Sequence, residues 1–85
     1  MQTIVREIRG IPFFLLREYL EELGGTSVGE DRAEGPGWNA KLERMAPFRL
    51  GSLEVGQVRL EIEIEDHLVD DFLERFGKKT LRAGA

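Results

Sequence analysis

His67 is the one side chain suited to moving protons near neutral pH, and on a helix it would neighbour Asp70 and Asp71 at i+3 and i+4. A carboxylate-oriented imidazole is the minimum for general base work or for a metal site. A divalent metal needs three or four convergent ligands, however, and the chain has no second histidine, no cysteine and no H-E-x-x-H pattern. His67 therefore reads as a surface residue in a first helical turn. No catalytic, cofactor-binding or metal-ligating residue is expected.

The acidic row Glu61, Glu63 and Glu65 would share one face of a strand and could attract a cation or a basic partner. Arg59 begins the same row, so the simpler reading is a solvated outer face whose charge discourages stacking. Across a dimer interface these glutamates would pair with arginines such as Arg44 or Arg49. Gly51 and Gly56 have the spacing of a phosphate loop, but Gln57-Val58 follows where Lys and Ser or Thr are required. Gly35 and Gly37 open no helix and give no dinucleotide fingerprint. Ser27 has the spacing Gly25-Thr26-Ser27-Val28-Gly29 but follows a helix instead of standing on a strand-to-helix elbow, and Ser52 lacks the spacing.

Trp38 stands beside Gly35 and Gly37 and next to Asn39. A rigid aromatic at a hairpin mouth can anchor a partner or stack a flat ligand. Core packing is the simpler role, because Trp38 alternates in phase with Ala40 and Leu42. Trp38, Asn39, Arg44 and Arg49 are the candidates for ligand or partner contact. Arg6, Arg9, Arg44, Arg49, Arg82, Lys78 and Lys79 would gather on one edge, but no exposed aromatic run accompanies them.

The elements that must position these residues follow from periodicity. Thr3 to Arg9 reads as a strand, stopped by Gly10. Pro12 to Leu23 reads as a helix with a stripe of Phe13, Leu16, Leu20 and Leu23, broadened by Ile11, Leu15 and Tyr19 and ended by Gly24-Gly25. Thr26 to Arg32 is a weak edge strand, followed by the hairpin turn Glu34-Gly35-Pro36-Gly37. Its partner runs from Trp38 to Phe48, and Pro47 marks its far end as an edge or a bulge. The stretch holding Gly51 and Gly56 reads as a turn. Val58, Leu60, Ile62 and Ile64 then alternate with charged residues, the strongest strand signal in the chain. Asp66 suits an N-cap for a second helix over His67 to Phe76, striped by Leu68, Val69, Phe72, Leu73 and Phe76 and ended by Gly77. Residues 78–85 read as a frayed basic tail, with Thr80-Leu81-Arg82 able to add a small strand.

This pattern predicts a single α+β domain over residues 1–85. The expected form is a two-layer sandwich of order β-α-β-β-β-α, with two helices on one face of a mostly antiparallel sheet. The alternative is a ferredoxin-like β-α-β-β-α-β order, in which the tail supplies the last strand.

The formal net charge of −4 argues against nucleic-acid binding. No apolar run reaches the ~20 residues of a membrane span, and charge interrupts the start before a signal peptide could form, so a cytoplasmic address is expected. Asn39 is the only asparagine, Gln2 and Gln57 are the only glutamines, and Glu and Arg dominate the charge. That tilt fits a thermophile, although a GC-rich genome favours Arg and Gly as well.

Three stretches carry a resemblance: Leu20-Glu21-Glu22-Leu23-Gly24-Gly25, Gly37-Trp38-Asn39-Ala40-Lys41-Leu42, and Leu50-Gly51-Ser52-Leu53-Glu54-Val55-Gly56-Gln57-Val58. Together they resemble a family of small proteins of thermophilic and related bacteria that carries only a domain-of-unknown-function label. The resemblance implies a compact α+β fold and no catalytic residue. The expected function is a non-enzymatic structural or protein-interaction domain. Without disulfide or metal, homodimerisation is the remaining way for so small a domain to add buried surface. The alternative is a small-molecule-binding regulatory domain with a pocket near Trp38.

Overall fold

The computed structural model describes the backbone of residues 1–84 and the side chains of residues 1–81. The order is β1 (Gln2–Arg9), α1 (Phe13–Glu22), β2 (Thr26–Ser27), β3 (Arg32–Gly35), β4 (Trp38–Leu50), β5 (Leu53–Ile64), a 3₁₀ turn (Asp66–Leu68) and α2 (Val69–Gly84). The strands form one antiparallel sheet of order β1-β5-β4-β3-β2. The α+β class and the two-helix, one-sheet arrangement are as the sequence predicts. The sheet has one strand more: Gly29 turns at φ +71° and limits the expected Thr26 to Arg32 strand to β2, while β3 begins at Arg32 and takes in Glu34 and Gly35 of the expected turn.

Period-two alternation decides which face is buried. Val58, Leu60, Ile62 and Ile64 of β5 face the core beside Trp38, Ala40 and Leu42 of β4 and Ala33 of β3. Ile11, Leu16, Leu20 and Leu23 close the core from around α1, and Phe72 and Phe76 from α2. Phe13 of the predicted stripe is only half-buried, beneath the Arg44 guanidinium 4.0 Å from its ring centre. No polar or charged residue is buried among the described ones.

Pro12 stands just before α1, and Gly24-Gly25 ends it. The Gly25 N–H donates to the Leu20 carbonyl and the Gly24 N–H to the Glu21 carbonyl, with Gly24 at φ +101°. That pair of bonds satisfies the last free carbonyls in a Schellman motif. Pro36-Gly37 forms the β3–β4 turn, with Gly37 at φ +80°.

Three expected boundaries move. Gly56 lies inside β5, so only Gly51-Ser52 forms the turn between Leu50 and Leu53. Gly51 has φ +62° at the first central position, the placement a type II′ hairpin requires. Asp66 begins the 3₁₀ turn instead of capping a helix, and its carboxylate lies 3.3 Å from the Met1 ammonium. Gly77 does not end α2: its φ is not positive, and the helix continues to Gly84, so the tail up to that residue is helical and not a strand. The core-facing stripe carries on through it from Phe76 to Thr80, and the pairs Asp71–Arg75 and Glu74–Lys78, each 3.3 Å, brace the exposed side. With no terminal strand, the ferredoxin-like alternative falls away. Ala85 and the Arg82 side chain lie outside the described residues.

Candidate interaction surface

The two sheet edges are unequal. β2 is two residues long, whereas β1 pairs with β5 over eight residues without a bulge, and its other side meets no strand among the described residues. The Gly10 N–H donates to the Gly56 carbonyl, directly opposite in the β1–β5 register. Antiparallel bonding alternates, so the even residues of β1 bond to β5 while the N–H and C=O groups of Thr3, Val5, Glu7 and Arg9 point off the free edge. Such a row is a template for a further strand.

Beside the lower half of β1 runs an open groove of about 390 Å³ between the strand and the C-terminal half of α2. Its apolar wall is Ile8, Ile11, Leu73 and Phe76, and Arg6 and Arg9 stand on its rim.

Below Gly10 the β4–β5 hairpin continues alone, as an arm. A register shift between Met45 and Phe48 marks its root. There the Gln57 side-chain amide donates to the Ala46 carbonyl at 3.0 Å, and Arg9 Nε donates to Gln57 Oε1 at 3.0 Å. The guanidinium of Arg9 also lies over the Phe48 ring, 4.0 Å from its centre. Beyond the root, Phe48 faces Val55 and Leu50 faces Leu53 on one side, while Arg49 and Glu54 form a 2.9 Å ion pair on the other. Leu50 and Leu53 are each 65% exposed. A radius of gyration of 12.9 Å, against ~12 Å for a compact chain of this length, agrees with a projecting arm.

The rest of the outer sheet face is polar. Glu61 lies between Val5 and Lys41, and Arg59 lies between Glu7 and Glu43. Opposite charges on neighbouring strands neutralise one another there. Glu63 shares this face, whereas Glu65 lies past the end of β5 beside Gly37.

The four residues expected to make ligand or partner contacts do not converge. Trp38 is in the core, its ring edge-on to Phe72 with centres 5.0 Å apart. Asn39 is half-buried on the outer face between Glu34 and Glu63. Arg44 covers Phe13, and Arg49 holds Glu54 on the arm. Trp38 and Arg49 stand near opposite ends of β4, roughly 35 Å apart at the rise of a strand. The cleft that Trp38 lines with Leu68, Asp71 and Arg75 holds about 110 Å³, well below the ~300–1,000 Å³ of a small-molecule site.

His67 is exposed in the 3₁₀ turn, and no grouping of three or more possible metal ligands occurs among the described residues. Among the described residues no helix is long and apolar enough to cross a membrane. Sequence reasoning missed the arm because the glycines around Leu53-Glu54-Val55 suggested a turn. The alternation of Phe48 and Leu50 with Arg49 was the available signal. It missed the groove because no local pattern brings Ile8 to Phe76.

The family model described as archaeal MoaD-like protein matches residues 4–85, nearly the whole chain. No curated protein matches it.

Proposed function

The chain belongs to the archaeal MoaD-like protein family, and from that premise we propose that it is a non-enzymatic protein-interaction domain, homodimeric, which offers the free edge of β1 to a protein partner. The observation that carries this reading is the edge itself: eight unbulged residues whose outward N–H and C=O groups form half of a ladder. Main-chain hydrogen bonds would supply affinity, and the side chains flanking the edge would select among partners. A family match over residues 4–85 is consistent with a small non-enzymatic domain of this kind. The amide-poor, Glu- and Arg-rich composition supports a heat-adapted source, and the lack of cysteine supports a reducing cytoplasm.

Val5→Pro tests the edge selectively. The Val5 N–H points away from β5, so proline there removes an outward donor and leaves the β1–β5 ladder whole. Bound partners captured from the source lysate on the immobilised protein should be lost with Val5→Pro and kept with Lys41→Glu on the outer face, while both variants keep the parent circular dichroism. Capture that tolerates the proline would show that the edge is not the docking element.

A further inference from the structure

The molecule carries an apolar projection and an apolar recess that it cannot bring together itself. The projection is the arm, whose side chains Phe48, Leu50, Leu53 and Val55 continue the outer face of the sheet. The recess is the groove between β1 and α2, on the helix-covered side. The arm is a hydrogen-bonded extension of the β4–β5 ladder whose apolar side chains lie on the face opposite the groove, so it does not fill its own groove. Two-stranded hairpins are marginal in water by themselves, and the tip of this one leaves Leu50 and Leu53 exposed, with Phe48 and Val55 half-buried behind them.

We propose that a second copy of this chain supplies the missing partner for each feature. Two copies seat their arm tips reciprocally, Leu50 and Leu53 of one entering the Ile8–Ile11–Leu73–Phe76 groove of the other. This rests on the homodimer reading above and names the surface that makes the dimer.

Size favours this pairing over simpler ones. A stable interface takes ~800 Å² from each partner, with about 20–30 residues a side. Against a surface of 5604 Å² that is roughly one-seventh of the molecule. Packing arm on arm would engage at most the eight residues 48–55 of each copy, too few. Reciprocal seating adds the nine residues that line each groove, 17 a side in all, close to the lower end of that range. The recess is also large enough: a cavity of ~150 Å³ accommodates a six-carbon ring, so about 390 Å³ has room for two leucine side chains. The reciprocity also closes the assembly at two, because each copy spends its projection and its recess in the same contact.

The absence of cysteine makes a clean test, because any disulfide must come from introduced residues. Leu53→Cys protein and Thr80→Cys protein, mixed under mild oxidation, should give a covalent one-to-one dimer, and neither alone should crosslink to a comparable extent. By light scattering the parent should have twice the monomer mass of 9.7 kDa. The Leu50→Asp/Leu53→Asp variant should have the monomer mass with unchanged circular dichroism. A parent that stays monomeric at millimolar concentration overturns both the homodimer reading and this contact. A dimer that survives the aspartates, or crosslinking by Leu53→Cys alone as readily as in the mixture, overturns only the contact. Growth into larger polymers overturns the reciprocal closure.

Discussion

Gly35→Ala tests whether the indole of Trp38 is the reason for the glycines around it. A Cβ at Gly35 would overlap Cε2, Cζ2 and Nε1 of Trp38. The backbone of Gly35 is not in the left-handed region, so its conformation adds no penalty for alanine. Overpacking of this kind costs ~1–3 kcal/mol, and the reduced freedom of the unfolded chain returns ~0.4–1 kcal/mol. The net loss should be about 1–2 kcal/mol, a fall of roughly 4–16 °C in Tm for a domain of this size. The atoms in the way lie beyond the first two carbons of the indole and are absent from leucine, whereas a phenyl ring would still fill the space of Nε1 and Cε2. In a Trp38→Leu background the same alanine should therefore be neutral or slightly stabilising, which gives a coupling of about 1–3 kcal/mol between the sites. Gly25→Ala is the contrast. Its Cβ would stand 2.6 Å from Cη2 of Trp38 but also 2.8 Å from the Leu20 carbonyl oxygen, a backbone atom that the leucine leaves in place. Urea unfolding followed by circular dichroism measures all of these, since Trp38→Leu removes the only tryptophan. A Gly35 cycle that closes within ~0.5 kcal/mol would refute the packing argument.

Gly77→Ala should stabilise the protein by ~0.5–1 kcal/mol in the same assay, because Gly77 lies within α2 with open space where the methyl would go. A left-handed helix-ending glycine would give a loss instead. Leu60→Ala should cost ~2–5 kcal/mol, because Leu60 is fully buried at the centre of β5 between Arg6 of β1 and Leu42 of β4. A loss under ~1 kcal/mol would mean that this strand does not hold the core.

The sheet's inner face was legible because its signal is local. Val58, Leu60, Ile62 and Ile64 alternate with charged residues, and that period allows only one face to be buried. The first helix was legible for a related reason, since Pro12 before it and Gly24-Gly25 after it act within a turn of their own positions. Glycine was harder to read. Gly24 and Gly51 have positive φ and end an element, whereas Gly56 and Gly77 lie inside a strand and a helix, and residue type does not distinguish the two uses. Long-range packing separates them: Gly56 stands opposite the β4 register shift with its carbonyl accepting from the Gly10 N–H, which keeps it within the strand, and the stripe from Phe76 to Thr80 carries Gly77.

The candidate surface divides the same way. That Trp38 would alternate into the core follows from its phase with Ala40 and Leu42, but only the fold shows Gly25 and Gly35 making room for its ring. Charge on Arg6, Glu7 and Arg9 could be read directly, yet whether β1 was central or at an edge could not, because strand order is a choice among pairings of similar local quality. By itself the sequence determined the element types, the buried face of β5 and the polar outer face, all consequences of period and composition over a few residues. Tertiary structure decided that β1 ends the sheet, that Ile8 meets Phe76 across a groove and that the β4–β5 hairpin outruns its neighbours, because each depends on residues far apart in the chain being held together by one core.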